Sequence, residues 1–470
     1  MKNRWIGALG CTAVGILLAL ATPIGTLSPL GHRVLMGLLA GMGFWIFQPV
    51  KMPFAITSCL VMALFIIVGV DKKLVFTGFI SDSTWILIPA TAFGYVLTKT
   101  GLGRRLALLV IKLFKPTYFN MAIAWLIIGL ILSAFTPSIL IRIAIVMPIA
   151  AGCSSTLKLK PGSRGNAFIL LVAWAMAVIP GSGWLTGSLW GPITLGMYGK
   201  IEGLKALCTP GAWMGAMMLP MLLCTVLIVA GIYIVLNPGR LTRLSRDAFV
   251  KEYEDLGPWS RAEKLSTIIL VATFTLFVTE KIHHIGNAPA CLLAFVMLFA
   301  TRVLEPDDIQ KGVSWNLIIF LGCVLAMPAI FANPDVGISA WIKEIVFPRL
   351  SSFHQNAWLF VMVVPVIMFA WRFLDIAWMI PTMALLVSML PTIQSEFGIH
   401  PLVTSSLMIM AGNFAFLPYM QPFAMMGSAL AKERSWTPGQ LMRFGGVYLA
   451  SCILTLIISM IYWETTGFVR

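Results

Sequence analysis

Long apolar stretches, separated by short polar segments, follow one another along almost the whole chain. A helix needs about 20 apolar residues to cross the hydrocarbon core of a bilayer, and many of these stretches approach that length. The pattern therefore predicts an all-α polytopic membrane protein with about 11 transmembrane helices, two of them broken. The continuous spans are predicted at 5–24, 33–50, 52–70, 82–98, 206–236, 265–280, 287–301, 313–332 and 444–463.

One apolar stretch, 118–153, is interrupted in its middle by Thr136-Pro137-Ser138, and Arg142 follows shortly afterwards. A lipid-facing helix does not tolerate a polar turn at mid-span, because the backbone groups there would lack hydrogen-bond partners. Such a break persists where it is buried in protein or lines a water-filled cavity. The stretch therefore predicts a re-entrant hairpin whose tip lies near the bilayer midplane.

Comparable interruptions recur along the chain, and they divide it into two similar halves. Interrupted segments at matching positions of two halves are the best sequence indication of a transporter's binding site. We therefore predict two repeats, 1–236 and 265–470, joined by a polar, basic linker at 237–264. The matching elements are amphipathic helices at 104–115 and 336–349, hairpins at 118–153 and 356–391, and broken helices at 165–199 and 401–431.

Composition and charge support this reading and add an orientation. Of the 470 residues 59% are hydrophobic and 11% are charged, whereas a soluble chain carries about 25% charged residues. The net charge of +15 does not indicate a nucleic-acid partner, because the Lys and Arg residues lie in short loops between apolar spans. Most of them fall on the side of the N-terminus, which predicts a multi-pass inner-membrane protein with a cytoplasmic N-terminus and an outside C-terminus.

This orientation also relates the two halves. An odd number of crossings separates them, so the repeats are expected to be inverted relative to each other. The first hairpin then enters the membrane from the cytoplasm, and the second enters from outside.

The first hairpin tip supplies three candidate substrate-binding residues, Thr136, Ser138 and Arg142. A charged residue at membrane depth is costly and by default indicates a functional site. A buried guanidinium can pair with an anion through two parallel hydrogen bonds. It can also supply the positive charge that a bound cation would otherwise provide. The alternative is that Arg142 bonds to hairpin carbonyls or extends to the cytoplasmic face.

The break in the first broken helix contains Ser182, Gly183 and Thr186, which we take as further substrate-binding candidates. Half-helix ends at such a break present backbone N–H groups to an anion. The alternative is that these small residues allow close packing of neighbouring helices.

The second hairpin and the second break supply the remaining candidates, Arg372, Asp375, Trp378, Asn413 and Gln421. Arg372 and Asp375 are three residues apart and can pair on one helical turn. Asp375 could instead titrate and couple transport to protons, while a purely structural ion pair is the alternative. Asn413 and Gln421 flank the break and could donate hydrogen bonds.

Other residue types indicate neither a metal centre nor an enzyme. The adjacent His283 and His284 do not share a helical face, which argues against a shared metal. No Walker motif, nucleophile elbow or metal-ligand spacing is present, so neither catalysis nor a cofactor is expected. We interpret the eight cysteines as free packing residues, at positions Cys11, Cys59, Cys153, Cys208, Cys224, Cys291, Cys323 and Cys452.

Taken together, these segments resemble the divalent anion:sodium symporter family, the carriers of dicarboxylates, citrate and sulfate. The resemblance covers nearly the whole chain. It implies an inverted-repeat fold with two re-entrant hairpins, a homodimer, and rigid-body elevator movement of a transport domain. The residues that carry it are the Trp85 span with Gly101-Leu102-Gly103-Arg104-Arg105-Leu106, the first tip with Arg142 and Pro148, the Trp315 span, Glu396-Phe397-Gly398-Ile399-His400-Pro401, and Phe414-Ala415-Phe416-Leu417-Pro418 running to Gly427-Ser428.

The chain departs from this family at both hairpin tips. Members carry a Ser-Asn-Thr sequence there, which contacts substrate carboxylate and helps to build a sodium site. This chain has Ser138-Ile139-Leu140 at the first tip and Trp378-Met379-Ile380 at the second. The Thr-Pro-Pro-Asn run of the broken helices is also altered. Sodium needs several oxygen ligands, so strict sodium coupling is not expected.

The sequence therefore predicts secondary active transport of a small anion across the inner membrane. The candidate substrates are a di- or tricarboxylate, a related organic acid, or sulfate, moved by exchange or proton coupling. The expected partners are this substrate, the bilayer and a second copy of the chain. The alternative function is a degenerate carrier scaffold that serves as a membrane-embedded binding or sensor protein, or as a membrane enzyme.

Overall fold

A computed structural model describes residues 2–20, 25–47, 54–239, 247–349, 356–373, 379–417 and 420–470. These residues are helical, and their one β contact is an isolated antiparallel bridge between Ile399 and Val469. Six helical segments in this part of the chain are long and apolar enough to cross a membrane. The predicted all-helical membrane fold is confirmed at this level.

The helices of the first half succeed one another with short connections. In chain order they are α1 (Lys2–Leu20), α2 (Pro29–Phe47), α3 (Phe54–Ile67), α4 (Lys72–Val75), α5 (Asp82–Lys99), α6 (Leu102–Ile111), α7 (Tyr118–Phe135), α8 (Ile139–Thr156), α9 (Arg164–Val178), α10 (Trp190–Tyr198), α11 (Leu204–Leu207) and α12 (Pro210–Leu236).

The linker and the second half continue the series. Their helices are α13 (Asp247–Glu254), α14 (Arg261–Val278), α15 (Glu280–His283), α16 (Asn287–Ala300), α17 (Asp308–Gly312), α18 (Trp315–Val324), α19 (Met327–Ala332), α20 (Ile338–Arg349), α21 (Ala357–Trp371), α22 (Ile380–Val387), α23 (Leu390–Phe397), α24 (Pro401–Gly412), α25 (Pro422–Ala431) and α26 (Pro438–Thr465).

Two helices begin earlier than the apolar pattern predicts, because polar caps start them. Helix α14 begins at Arg261, where Ser260 and Glu263 form a capping box in which each side chain bonds the other's backbone N–H. Helix α26 begins at Pro438 behind the same arrangement of Thr437 and Gln440. Capping residues are polar and precede the apolar run, so hydropathy alone places such helix starts too late. The linker is accordingly shorter than 237–264.

The helices of the two hairpins agree differently with the sequence prediction. Helix α7 ends at Phe135 and α8 begins at Ile139, so the first break coincides with Thr136-Pro137-Ser138. In the second hairpin α22 ends at Val387, and a new helix begins at Leu390 with Pro391 in its first turn. The returning limb therefore ends at Val387, before residue 391, where the predicted hairpin 356–391 ends. The reason is that proline favours the start of a helix over its interior. Residues 374–378 lie outside the described part of this hairpin.

Helix α9 lies at the centre of one group of helices. All of its apolar stretch is buried, as expected for a helix that is hydrophobic on every side. It packs against α7, α8 and α12, and its Trp174 Nε1 donates a hydrogen bond of 3.0 Å to the Phe423 carbonyl in α25. The interrupted segments of the two halves are thereby brought together.

A second group of helices lies beside the first. Helix α1 packs on α2, α2 on α3, and α3 on α18, while α5 and α14 both pack on α16. Helix α5 also contacts α8 and α10, so it borders the interrupted segments. These two groups are compatible with a moving transport domain and a static scaffold, and the elevator movement stays a prediction.

Two charged contacts join the halves outside the spanning segments. Lys99 Nζ lies 2.5 Å from Asp308 Oδ2, and Arg105 Nε lies 2.6 Å from Glu263 Oε1. Burial acts to raise the pKa of Glu263, but its hydrogen bonds from Arg105 and Ser260 outweigh burial and hold that pKa below its usual range. Burial likewise acts to raise the pKa of Asp308, but the hydrogen bonds that it accepts, chiefly from Lys99, leave that pKa lowered.

Candidate functional site

The first hairpin tip is a buried, extended turn. Thr136 and Ser138 are both buried, and Thr136 Oγ1 donates a hydrogen bond of 3.3 Å to the Ala90 carbonyl of α5. The same oxygen accepts a hydrogen bond of 3.1 Å from the Ser138 N–H. The Thr136 hydroxyl is thus occupied by backbone groups, and it fixes the tip against α5.

Arg142 follows in the first turns of α8, and its side chain is fully buried. Its Nη1 donates a hydrogen bond of 2.6 Å to the Gly187 carbonyl in the first broken helix. Its Nε and Nη2 have no hydrogen-bond partner among the described residues. The guanidinium therefore lies inside the protein and does not extend to its surface. Its Nε and Nη2 are free to donate hydrogen bonds to a ligand.

Gly181 makes room for this guanidinium, and Gly187 makes room for the side chain of Trp184. A Cβ added to Gly181 would lie 2.4 Å from Arg142 Nη1 and 2.3 Å from the Gly187 carbonyl oxygen. A Cβ added to Gly187 would lie 2.2 Å from Trp184 Nε1 and 2.4 Å from the Gly181 carbonyl oxygen. These distances are shorter than any real Cβ contact. The Gly181–Gly187 turn therefore holds both the arginine and the tryptophan against bare backbone.

Two further donors in this turn are also unused. Ser182 Oγ and Trp184 Nε1 are buried and have no hydrogen-bond partner among the described residues. We refer to Arg142, Ser182 and Trp184 as the donor cluster, because Arg142 contacts the turn that carries the other two residues. Trp184 was not among the sequence candidates. The signal that could have identified it is its place inside the glycine- and serine-rich break.

The two other candidates in this break have different surroundings. Gly183 packs on α12, where an added Cβ would lie 3.0 Å from Met218 Sδ and 3.3 Å from its Cα. This contact fits the close-packing interpretation of the small residues. Thr186 lines a cavity of about 20 Å³ together with Pro137 and apolar side chains of α5, α14 and α16. A cavity of that size holds about one water molecule, so a bound organic anion would require the surrounding elements to separate.

The second half contributes a second buried arginine. Arg372 caps the end of α21, is fully buried, and donates from Nη2 to the Met420 carbonyl beside the second break. Each hairpin arginine thus donates to a carbonyl in or beside the break of its own half. In the predicted repeat the two positions are not equivalent, because Arg142 follows its tip and Arg372 precedes its tip. Asp375 and Trp378 lie outside the described residues, so their predicted roles stay predictions.

Asn413 and Gln421 flank the second break, as the sequence indicates. Asn413 Oδ1 accepts a hydrogen bond of 3.0 Å from Trp190 Nε1 of α10, and its Nδ2 is buried without a partner in the described part of the chain. Gln421 Nε2 donates to the Gly412 carbonyl at 3.5 Å, and its Oε1 accepts from the Phe423 N–H at 3.4 Å. Asn413 therefore joins the two broken helices to each other. Gln421 instead connects the two halves of the second broken helix, α24 and α25.

No acidic side chain of the described residues pairs with Arg142. The ion pairs found there join Lys99 to Asp308, Arg104 to Glu252, Arg105 to Glu263 and Lys205 to Asp82. The same residues contain no group of three or more His, Cys, Asp or Glu that could hold a metal. The donor cluster has an excess of hydrogen-bond donors and positive charge, which suits an anion.

Comparison with known proteins identifies the chain's relatives. Residues 2–469 match the family described as the sodium:sulfate symporter transmembrane region. An uncharacterized transporter of Haemophilus influenzae is 25% identical over 274 residues, which are 57% of this chain and 56% of that protein. The L-tartrate/succinate antiporter of Escherichia coli is 24% identical over 303 residues, 62% of this chain and 60% of that one.

A plant protein matches as well. The chloroplastic dicarboxylate transporter 1 of Spinacia oleracea is 23% identical over 282 residues, 58% of this chain and 48% of the plant protein. The chain thus spans about half to three fifths of the length of these relatives. Since the family match covers nearly every residue, the predicted resemblance to the divalent anion:sodium symporters is confirmed, and the chain belongs to the sodium:sulfate symporter family of membrane transporters.

Proposed function

We propose that the protein is a secondary active transporter that moves a small anion across the inner membrane. The proposed substrate is a di- or tricarboxylate, a related organic acid, or sulfate. Movement occurs by exchange or with protons and is not strictly coupled to sodium. The names of the relatives, a tartrate/succinate antiporter and a dicarboxylate transporter, support this substrate class.

The observation that carries the proposal is the buried guanidinium of Arg142. Burial of a charge without full hydrogen bonding is strongly unfavourable, yet two nitrogens of this group have no partner among the described residues. A carboxylate or sulfate oxygen pair matches the geometry of such a guanidinium edge. The unused donors of Ser182 and Trp184 in the same region add hydrogen bonds for the same ligand.

The proposed independence from sodium rests on the side chains at the tips. Ile139, Met379 and Ile380 are buried and carry no side-chain oxygen. Thr136 directs its hydroxyl to the Ala90 carbonyl. Sodium would thus find few side-chain ligands, and the fixed charge of Arg142 supplies positive charge near the anion instead.

The test is counterflow with purified protein in proteoliposomes. Vesicles are loaded with unlabelled succinate, tartrate, citrate, sulfate or lactate and diluted into the corresponding labelled anion, in sodium or in potassium buffer and with or without a pH gradient. We expect at least one divalent or trivalent anion to exchange at equal rates in both cations. Failure of every anion would refute transport. Strict sodium dependence would refute the proposed coupling but leave transport standing.

A further inference from the structure

A second cavity, of about 370 Å³, lies on the other side of the first hairpin from its tip. It is bounded by the end of α5, the first turns of α6, the middle of α8 and helix α13. Small-molecule sites commonly measure about 300–1,000 Å³. The space opens to the protein surface, since Arg104 and Pro148 in its lining are exposed, so a ligand can enter it from outside.

The inner wall of the cavity is apolar. Leu97 of α5 and Ile145 and Ile149 of α8 are all buried and line it. Pro148 and Ala144 line it too, and Pro148 has no N–H to donate to the Ala144 carbonyl one turn earlier. The wall thus suits a hydrocarbon chain.

The rim of the cavity is charged. Arg104 Nη2 lies 3.2 Å from Glu252 Oε1, and their side chains are 56% and 35% exposed. An ion pair this exposed contributes little to stability, so another anion can replace Glu252 beside Arg104. The neighbouring Arg105 is not available for this, because it is buried against Glu263 and the carbonyls of Leu256, Gly257 and Pro258.

The cavity is also bordered by helix α6, which the sequence predicts to lie at the membrane surface. Helix α6 is amphipathic and follows directly after α5, with Leu102 and Leu108 buried and Arg104 exposed. Helices of this kind lie in the interface and attract anionic lipids. A phosphate at Arg104 and an acyl chain against α8 would fill the cavity from the adjoining leaflet.

We propose that this cavity is a binding site for one anionic phospholipid. The phosphate takes the place of Glu252 beside Arg104, and an acyl chain lies against Leu97, Ile145 and Ile149. Because the opposite walls belong to the hairpin and to α5 and α6, the lipid braces the hairpin against those helices. The site is separate from the donor cluster, so its test does not depend on the transported anion.

The test is native mass spectrometry of the full-length protein in detergent, titrated with phosphatidylglycerol or phosphatidylcholine. We expect one phosphatidylglycerol per chain, bound about five- to tenfold more tightly than phosphatidylcholine. Arg104→Gln should abolish this preference. Glu252→Gln should strengthen phosphatidylglycerol binding, since it releases Arg104. Ala144→Phe fills the cavity and should weaken both lipids.

Lys115→Gln is the matched control, because it removes one exposed charge near the end of the same basic stretch without touching the cavity. If Lys115→Gln weakens binding as much as Arg104→Gln, the attraction is non-specific and the proposal is wrong. It is also wrong if Glu252→Gln weakens binding, or if soluble glycerol phosphate displaces the lipid with equal affinity. Should Ala144→Phe fail to fold, the Arg104 and Glu252 variants still decide the outcome.

Discussion

At the scale of single residues, the first hairpin accommodates a charge by giving it backbone partners rather than an acid. Arg142 reaches the Gly187 carbonyl across a turn from which Gly181 and Gly187 exclude side chains. A carboxylate at this place would neutralise the guanidinium and compete with an incoming anion. The observed arrangement orients the arginine and leaves its Nε and Nη2 without a hydrogen-bond partner among the described residues.

Replacing Arg142 tests this view directly. We expect Arg142→Ala to weaken anion binding by about 100-fold or more, since loss of a buried charged hydrogen bond costs about 2–5 kcal/mol. Arg142→Lys should recover only part of the affinity, because an ammonium cannot bind bidentately. The measurement is calorimetric binding of the anion that exchanges in proteoliposomes.

The matched control is Arg164→Ala, which removes an exposed arginine at the start of α9. It should bind the anion as the natural protein does, and both variants should elute as folded protein. Undiminished affinity in Arg142→Ala would assign this residue a purely structural role.

Gly181 gives a second test of the same geometry. In Gly181→Ala the new methyl group would lie 2.4 Å from Arg142 Nη1. We expect weaker anion binding and a loss of stability of about 1–3 kcal/mol, as for other overpacked positions. Gly152→Ala serves as control, because nothing lies within 4 Å of its Cβ position in α8. Thermal unfolding in detergent and the binding assay together measure both effects, and equal behaviour of the two variants would contradict the proposed crowding.

At the scale of helices, the broken elements are held together by hydrogen bonds from large side chains. Trp190 of α10 bonds to Asn413 at the end of α24, Tyr198 bonds to Ser405 at 2.8 Å, and Trp174 bonds to the Phe423 carbonyl. Each contact joins the first half to the second. These contacts would link the two broken helices during the predicted movement.

The Arg105–Glu263 pair joins α6 to the start of α14 and makes a prediction about pH. The pKa of Glu263 is lowered in the folded protein, so the pair stabilises above the unfolded pKa of about 4.3, and this contribution disappears as pH falls through the lower folded pKa. Glu263→Gln should cost about 3 kcal/mol at neutral pH, because Arg105 stays buried. Its melting temperature should fall less steeply than that of the natural protein as the pH is lowered below about 4.

Glu252→Gln is the control for this prediction, since Glu252 belongs to an exposed pair that should contribute at most about 1 kcal/mol. If both variants lose the same melting temperature at neutral pH, the buried Arg105–Glu263 pair contributes no more to stability than the exposed Arg104–Glu252 pair.

At the scale of the whole molecule, one group of helices contains the interrupted segments and the second group borders them, which is compatible with the predicted carrier in which one group moves. The orientation in the membrane is still a prediction from the distribution of Lys and Arg. We expect green fluorescent protein fused before Met1 to fluoresce and alkaline phosphatase fused after Arg470 to be active, because the first folds in the cytoplasm and the second outside it.

The converse fusions give the control for orientation. Alkaline phosphatase at the N-terminus and green fluorescent protein at the C-terminus should both be inactive. If these converse fusions are active and the first pair is inactive, the predicted topology is reversed. If the same reporter is active at both ends, the chain crosses the membrane an even number of times.

Hydropathy alone located most helices and the break at Thr136-Pro137-Ser138, because a bilayer demands long apolar runs and penalises interruptions. It placed the starts of α14 and α26 too late and the return of the second hairpin too far along the chain. Those ends depend on Ser260 with Glu263, on Thr437 with Gln440, and on Pro391. Each is a local polar or conformational signal that an average of hydrophobicity conceals.

By itself, the sequence determined that this is a helical membrane protein that resembles the divalent anion:sodium symporters and carries arginines at both hairpins, because apolar length, interruptions and family motifs are properties of the linear chain. Only the tertiary structure decided where those arginines point. It placed Arg142 against the Gly181–Gly187 turn, joined Trp190 to Asn413, and left Gly183 to pack on α12. Hydrogen bonding and steric fit depend on residues distant in sequence, and these become neighbours only when the helices pack.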